Sequence, residues 1–279
     1  MPPGLEGSEI QIGKAKMFVR EVFQDLFSAF RDNRFWLSYG VLDARRIYFR
    51  TRFGIAWEVI GPALFIYLIG FSYTRLMGYS SADFLPHIAL GYIIWLNMQL
   101  IVTQGCLTLT RHRAQILSNP RPLLVYPFKN VVTSLIYSSV HLVILIPVVL
   151  LYFESFNDAN LLIFSYYFIL YLFTATGLAA LLGVVCLRFR DLEPLITAVN
   201  RLAFFVTPIL WAEGSMGRAG QMFLSWNPYG YFVSGIRDSI LGHETTLSKM
   251  LVTLAIATGV MFGAAVSVHL SRNRIPYWL

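Results

Sequence analysis

Six apolar runs, at residues 57–76, 88–108, 131–153, 161–187, 195–211 and 247–270, constrain the fold of this chain more than any other feature. Each approaches the ~20 residues that an α-helix needs to cross the hydrocarbon core of a bilayer, about twice what a strand would need. Inside lipid no water satisfies a backbone N–H or C=O, and a helix meets that demand within itself. The expected architecture is therefore all-α, a polytopic membrane protein with six transmembrane helices. A composition 56% apolar and only 13% charged belongs to the same class.

The first run begins only after more than fifty residues rich in charge, so the expectation is insertion through the chain's own first span, with no cleavable secretory signal. Lysine and arginine then orient the bundle. Lys14, Lys16, Arg20, Arg31, Arg34, Arg45, Arg46, Arg50 and Arg52 precede the first run. Arg111, Arg113, Arg121 and Lys129 lie around the second connection, Arg188 and Arg190 at the fourth, and Arg272 and Arg274 after the last run. All of these share one side, and the other side has only Arg75, Arg218, Arg237 and Lys249. The positive-inside bias places both termini in the cytoplasm. A net charge of +7 raises nucleic acid as a partner, but the cations border the runs and build no soluble basic domain. Anionic membrane lipids account for them more simply.

The whole of 1–279 reads as one transmembrane unit: a polar lead (1–34), an interfacial helix (35–53), the bundle (57–270) and a cytoplasmic tail (271–279). Phe35, Tyr39, Leu42, Phe49 and Phe53 recur at helical steps, with Arg45, Arg50 and Arg52 off the stripe and Arg46 snorkelling from it, which describes a basic amphipathic helix lying in the membrane interface. Gly61-Pro62 predicts a bend near the inner end of the first span. The connection "LTRHRAQILSNPRPLLVYP" predicts a short protruding helix stopped at Asn119-Pro120. Residues 212–246 form the long excursion on the opposite side. Within it "WNPYGYFVSGIRDSILG" is too short to span and too apolar for an ordinary loop, so helices that dip into the outer leaflet and return are expected.

Chemistry-bearing clusters are scarce. His87, His112, His141, His243 and His269 are scattered, with no H-E-x-x-H, no nucleophile elbow and no paired intramembrane carboxylates, so neither a catalytic nor a metal site is assigned. No G-x-x-x-x-G-K-[ST] loop is present, so the chain itself takes no cofactor; if ATP drives it, another chain binds the nucleotide. Cys106 and Cys186 are expected as free thiols. Ala255, Gly259, Gly263 and Ser267 recur at four-residue steps and mark a close helix contact, most simply within one chain, otherwise with a second copy. Asn97, Gln104 and Thr108 share one face of the second span, beside Gln99 and Thr103; that face either hydrogen-bonds inside the bundle or lines a watery path. The 15% aromatic share serves interface belts and packing, or a path on which sugar C–H faces stack.

A basic amphipathic helix leading into "YFRTRFGIAWEVIGPALFIYLIG", then "RFRDLEPLITAVNRLAFFVTPILW", then the outer "WNPYGYFVSGIRDSILG", resembles the ABC-2 type permeases that export bacterial polysaccharides. The resemblance runs from about residue 35 onward and departs locally, with Thr207-Pro208 where the family often has serine before the proline. It implies an inner-membrane homodimer partnered by two cytosolic ATPase subunits, which carry the ATP and magnesium, and a lipid-linked glycan substrate. O-antigen, teichoic acid and capsular polysaccharide all remain open. By position it implies a coupling or gate helix at Arg111, His112, Arg113, Gln115 and Asn119, while the charge bias itself places a cytoplasmic turn at Arg188, Arg190, Asp191 and Glu193, rigidified by local ion pairs. Arg45, Arg46, Arg50 and Arg52 would meet a lipid pyrophosphate or simply anchor to anionic lipid. The channel and its gate would comprise Asn97, Gln104, Asn200, Arg201, Phe204, Phe205, Pro208 and Trp211, capped outside by Trp226, Tyr229 and Tyr231.

Two other classes compete. An ion-driven carrier would bring inverted repeats and a midplane acid, and a membrane-embedded glycan transferase would bring converging acids, bases or metal ligands; the sequence offers neither. Arg201 sits six residues into the fifth run, where it either snorkels to the headgroups or faces the path together with Asn200, and Pro208 predicts a bend beyond it.

Overall fold

Most of the apolar runs fold as long helices, and two of the interruptions in regular hydrogen bonding lie beside prolines, Pro147 and Pro208. The computed structural model describes residues 20–21, 23–48, 55–76, 78, 80–118, 121–212 and 217–279. Arg50, Arg52, Asn119 and the 49–53 end of the expected interfacial helix lie outside the described residues. Every regular element among those described is helical. Five helices are long and apolar enough to cross a membrane: α2 (Ile55–Leu76), α3 (Ser81–Cys106), a third at Val125–Leu151, α8 (Leu161–Arg188) and α12 (Leu247–Ser271). The third joins α6 (Val125–Ser139) and α7 (Leu145–Leu151) through a 3-10 segment, Val140–Ile144, just before Pro147. α1 (Asn33–Tyr48) precedes the bundle, and α4 (Thr108–Arg111) and α5 (Arg113–Ser118) fill the basic connection.

The expected fifth span is shorter than its apolar run. α9 (Leu192–Val206) is 15 residues long, about 22 Å at the usual rise and less than the ~30 Å hydrocarbon core. It stops because a residue before proline is driven out of the α region: Thr207 sits at φ −85°, ψ 139°. The bend expected at Pro208 is therefore a full break, after which α10 (Gly217–Trp226), α11 (Pro228–Ile240), α12 and the terminal α13 (Ile275–Trp278) follow. At Pro62 there is no such break, and α2 continues past the proline.

A proline inside a helix frees the carbonyl four residues earlier. For Pro86 in α3 that carbonyl belongs to Ala82, and the Ser155 hydroxyl donates to it at 3.0 Å. A distant side chain thus makes the bond that the proline cannot.

α8 lies at the centre, packed against α12, α3, α11 and α6, and α3 is buried over most of its length. The core between them holds Ile88, Trp95, Ile101, Tyr167, Val233 and Ile236. The close approach of α8 to α12 comes from Gly177, where an added Cβ would lie 3.0 Å from the Met261 Cα. The small-residue stripe of α12 is not that contact: a Cβ at Gly259 or Gly263 would meet nothing within 4 Å. Four-residue spacing gave the face correctly but not what covers it.

Around α1 a second apolar cluster forms from Leu109, Leu124, Leu187, Ile275 and Leu279. Trp36 stacks on Phe128 with centroids 5.6 Å apart, and the Arg121 guanidinium lies 4.4 Å over Phe35 while pairing with Asp32. Gly40 permits the contact with α6, since its Cβ would come within 2.7 Å of Val132. Tyr39 and Leu42, on the expected apolar stripe, remain exposed.

Candidate functional site

An open groove of about 290 Å³ runs between α2, α3 and α9, lined by Phe65, Tyr92, Trp95, Gln99, Arg201, Phe204 and Phe205. Its rings form one aromatic wall. Phe65 stacks on Tyr92 at 4.3 Å, and Phe204 meets Phe65, Tyr92 and Trp95 at 5.7–5.9 Å. Arg201 and Gln99 supply side-chain donors beside that wall. Helical spacing explains the grouping, because Arg201, Phe204 and Phe205 are three and four residues apart on one face of α9. Rings with nearby hydrogen-bond donors can hold a ligand that is apolar on one face and hydroxylated at its edge.

Asn200 does not share this groove. One residue along the helix turns its side chain about 100°, and Asn200 is buried with neither amide atom partnered among the described residues. Asn97 is likewise inside the bundle: it donates to the Ser134 carbonyl at 3.0 Å and to the Ser138 hydroxyl at 2.7 Å, and accepts from the Tyr171 hydroxyl. Of the two readings for that face of α3, internal hydrogen bonding holds at Asn97. Near Gln104 the side chain of Asn130 takes up both the Gln104 carbonyl and the Thr108 hydroxyl. Gln99, noted only as a neighbour of the polar face, is the α3 amide in the groove.

Beyond the break, Ile209 is fully buried and the half-buried Trp211 donates its indole N–H to the Phe205 carbonyl at 3.4 Å. Tyr229 packs edge-on against Trp95 at 5.4 Å and so joins the aromatic wall from outside. Trp226 is largely exposed beside an adjoining apolar groove on α9, and Tyr231 lines neither groove. Sequence reasoning missed Arg237, taken there only as one of few cations on the outer side. It is 2% exposed and donates to the Pro208 carbonyl at 2.5 Å, to His87 at 3.2 Å and to Asp238 at 2.9 Å. A lone arginine within "YFVSGIRDSILG" was the available signal. A buried charge needs such partners.

At the basic end, Lys129 is 4% exposed and pairs with Asp43 of α1 while donating to His112 Nε2 at 2.9 Å. His112 Nδ1 in turn donates to the Thr108 carbonyl at 2.6 Å, which fixes a neutral ring. Burial first, and the adjacent ammonium second, push the His112 pKa down from 6.5 to about 4. A base held below its unfolded pKa contributes stability above pH 6.5 and loses it as pH falls through that range toward 4. Thermal unfolding of the purified chain between pH 7 and pH 4 should therefore show a larger acid-side loss than His112→Gln shows, by on the order of 3 kcal/mol at most. Equal loss in both proteins would contradict it.

The remaining basic-end residues are not gathered into one site. Arg111, Arg113, Arg45 and Arg46 are exposed, Arg46 lying 3.6 Å from Asp43, and Gln115 is half-buried with its amide oxygen unpartnered among the described residues. The ion pairs expected among Arg188, Arg190, Asp191 and Glu193 are not formed among the described residues; Arg188 lies 5.2 Å over the Trp278 ring instead. Exposed pairs contribute at most about 1 kcal/mol, little reason to prefer them over an aromatic face. Cys106 and Cys186 are buried and free, and their thiols lie side by side despite a sequence separation of 80 residues.

Similarity to known proteins agrees with this architecture. The chain is 23% identical over 225 residues to the O-antigen export system permease protein RfbA of Myxococcus xanthus, covering 79% of this chain and 85% of that protein. It is 22% identical over 224 residues to RfbA of Klebsiella pneumoniae, covering 78% and 84%. The profile of the ABC-2 type transporter family matches residues 42–241, a stretch that begins in α1, includes both halves of the aromatic groove and ends just past α11. With five apolar helices of spanning length, this is a multi-pass membrane protein, and it belongs to the ABC-2 type transporter family.

Proposed function

We propose that the chain is the transmembrane subunit of an ATP-driven exporter carrying a lipid-linked, O-antigen-like polysaccharide across the bacterial inner membrane. Two copies form the path, two cytosolic ATPase subunits bind ATP and magnesium, and both termini face the cytoplasm. The groove of Phe65, Tyr92, Trp95, Gln99, Arg201 and Phe204 carries this reading, because it opens at the surface of the subunit and not into its core. A guanidinium in that setting is costly against lipid and is accommodated if a second copy faces it across water. The exposed Leu64 and Leu68 of α2 and Leu195, Val199 and Leu202 of α9 supply apolar contact for that second copy.

Weak, repeated stacking suits a moving polymer, since a tight site at any point would stall it. The segment past Pro208 completes a sixth crossing begun by α9, and α10 with α11 forms a re-entrant cap at the exit. At the other end α4 and α5 receive the ATPase stroke, with Arg45 and Arg46 near an incoming lipid pyrophosphate. The relatives named for O-antigen export favour that substrate class.

Arg201→Leu should reach the membrane in normal amounts and lower glycan export roughly tenfold or more in cells that depend on this permease and its ATPase, the loss of a charge-assisted contact of about 1.5–3 kcal/mol. Surface glycan quantified against permease abundance checks it. Unimpaired export would return Arg201 to a headgroup anchor and remove the main support for a path in this groove.

A further inference from the structure

We infer that Asn227 and Arg237 are positioning residues for transport, clamping the Thr207–Pro208 break so that α9 and the outer helix α11 move as one body. Both ends of the break are held by side chains from the same outer segment. Asn227 donates to the Thr207 hydroxyl at 2.8 Å while its own oxygen caps α11 by accepting from the Tyr229 N–H at 3.0 Å. Arg237, nearly three turns later, donates to the Pro208 carbonyl and reaches His87 of α3 with the same nitrogen.

These bonds answer a specific local need. A helix end leaves its last carbonyls without intrahelical partners. Here Thr207 takes up the Ala203 carbonyl through both its N–H and its hydroxyl, at 3.0 and 2.7 Å; Trp211 takes up that of Phe205; and the Ile209 N–H takes up that of Thr207 at 2.7 Å. The Pro208 carbonyl is left for Arg237, in a place too buried for solvent to serve it. Asp238 balances the guanidinium through its Nε, so the charge is compensated while Nη1 stays committed to the break. Thr207, Asn227 and Arg237 are each 7% exposed or less, and a buried bond of this kind has no equivalent water-mediated alternative.

A break in a wall helix would ordinarily be a hinge. With the clamp closed, a displacement of Arg201, Phe204 and Phe205 on α9 carries Tyr229 with it, and the groove and its outer cap change together. The inference rests on the export reading for its consequence but not for its geometry, and its test separates the two.

The permease–ATPase complex is prepared with nitroxide labels at Ala198→Cys on α9 and Glu244→Cys beyond α11, in a background with Cys106→Ala and Cys186→Ala, and the labelled permease is diluted into an excess of unlabelled permease so that only distances within one chain are read. The parent and Thr207→Ser, which keeps the hydroxyl, should give one dominant distance with a minor displaced population. Thr207→Val, which keeps the shape and loses the hydroxyl, should raise a second, displaced population about fivefold, the equivalent of one buried hydrogen bond. Export per permease should fall by a similar factor in Thr207→Val and recover in Thr207→Ser. Arg237→Lys, a point charge unable to span the same partners, should behave like Thr207→Val. If Thr207→Val and Arg237→Lys leave the distances unchanged, or Thr207→Ser is as impaired as Thr207→Val, the clamp is wrong. If the parent exports no glycan, the transport reading fails, while the label distances still decide for or against the clamp.

Discussion

Lys129→Met should destabilise the folded chain by about 3 kcal/mol, the low end of the range for removing one partner of a buried ion pair. Lys129 is almost fully buried, and its ammonium serves two elements at once, Asp43 of α1 and the His112 ring in the basic connection. Methionine fills the same channel with apolar atoms, so packing is largely kept and the loss is electrostatic. The cost stays at the low end because the Asp43 side chain is 30% exposed and can turn toward water or Arg46. His112 loses the donor to its Nε2 and keeps only the Thr108 carbonyl. The double variant Asp43→Asn with Lys129→Met should recover part of the loss, since no unpaired carboxylate then remains. Thermal unfolding in detergent, with single and double variants compared as a cycle, measures the coupling. A single variant within 1 kcal/mol of the parent would mean that the pair holds nothing together.

Gly177→Leu should cost at least about 1–3 kcal/mol and separate α8 from α12 at their closest point. The obstructing atoms are the Met261 Cα at 3.0 Å and its backbone nitrogen at 3.2 Å, and backbone in a helix cannot step aside as a side chain can. A larger residue there must push the two helices apart along the most extensive helix pairing in the molecule. Gly259→Leu, on the face of α12 where nothing lies within 4 Å, is the matched control and should be tolerated in the isolated chain. Lower yield and a lower unfolding temperature for Gly177→Leu, with Gly259→Leu near the parent, is the expected pattern. The reverse order would mean that the α12 stripe carries the contact after all.

The apolar runs were legible because membrane thickness sets helix length directly, and five of them became helices of spanning length. The chemistry of the Thr207-Pro208 pair was legible in kind, since a proline disturbs a helix, but not in degree: a bend and a break share the same residues, and the choice depends on partners for the freed carbonyls. The Pro208 carbonyl finds its partner in Arg237, 29 residues further along the chain, and the same guanidinium nitrogen reaches His87, 150 residues away from it. Lys129 and Asp43 meet in the same nonlocal way, so a residue counted in the sequence as one more basic flank is an internal tie. The stripe at Ala255, Gly259, Gly263 and Ser267 shows the other limit: periodicity reports which residues share a face and is silent about what covers it. Within the groove, Arg201, Phe204 and Phe205 were legible together because one helix carries them, whereas Gln99, Phe65 and Tyr92 arrive from two other helices and needed the fold.

The bond from Ser155 to the Ala82 carbonyl makes Pro86 half of a two-part component. Anyone transplanting this helix into a designed membrane scaffold, or trimming the short 3-10 segment that carries Ser155, inherits an acceptor with its partner left behind. The serine has to travel with the proline, or both have to be replaced together, before the helix can be treated as an interchangeable module.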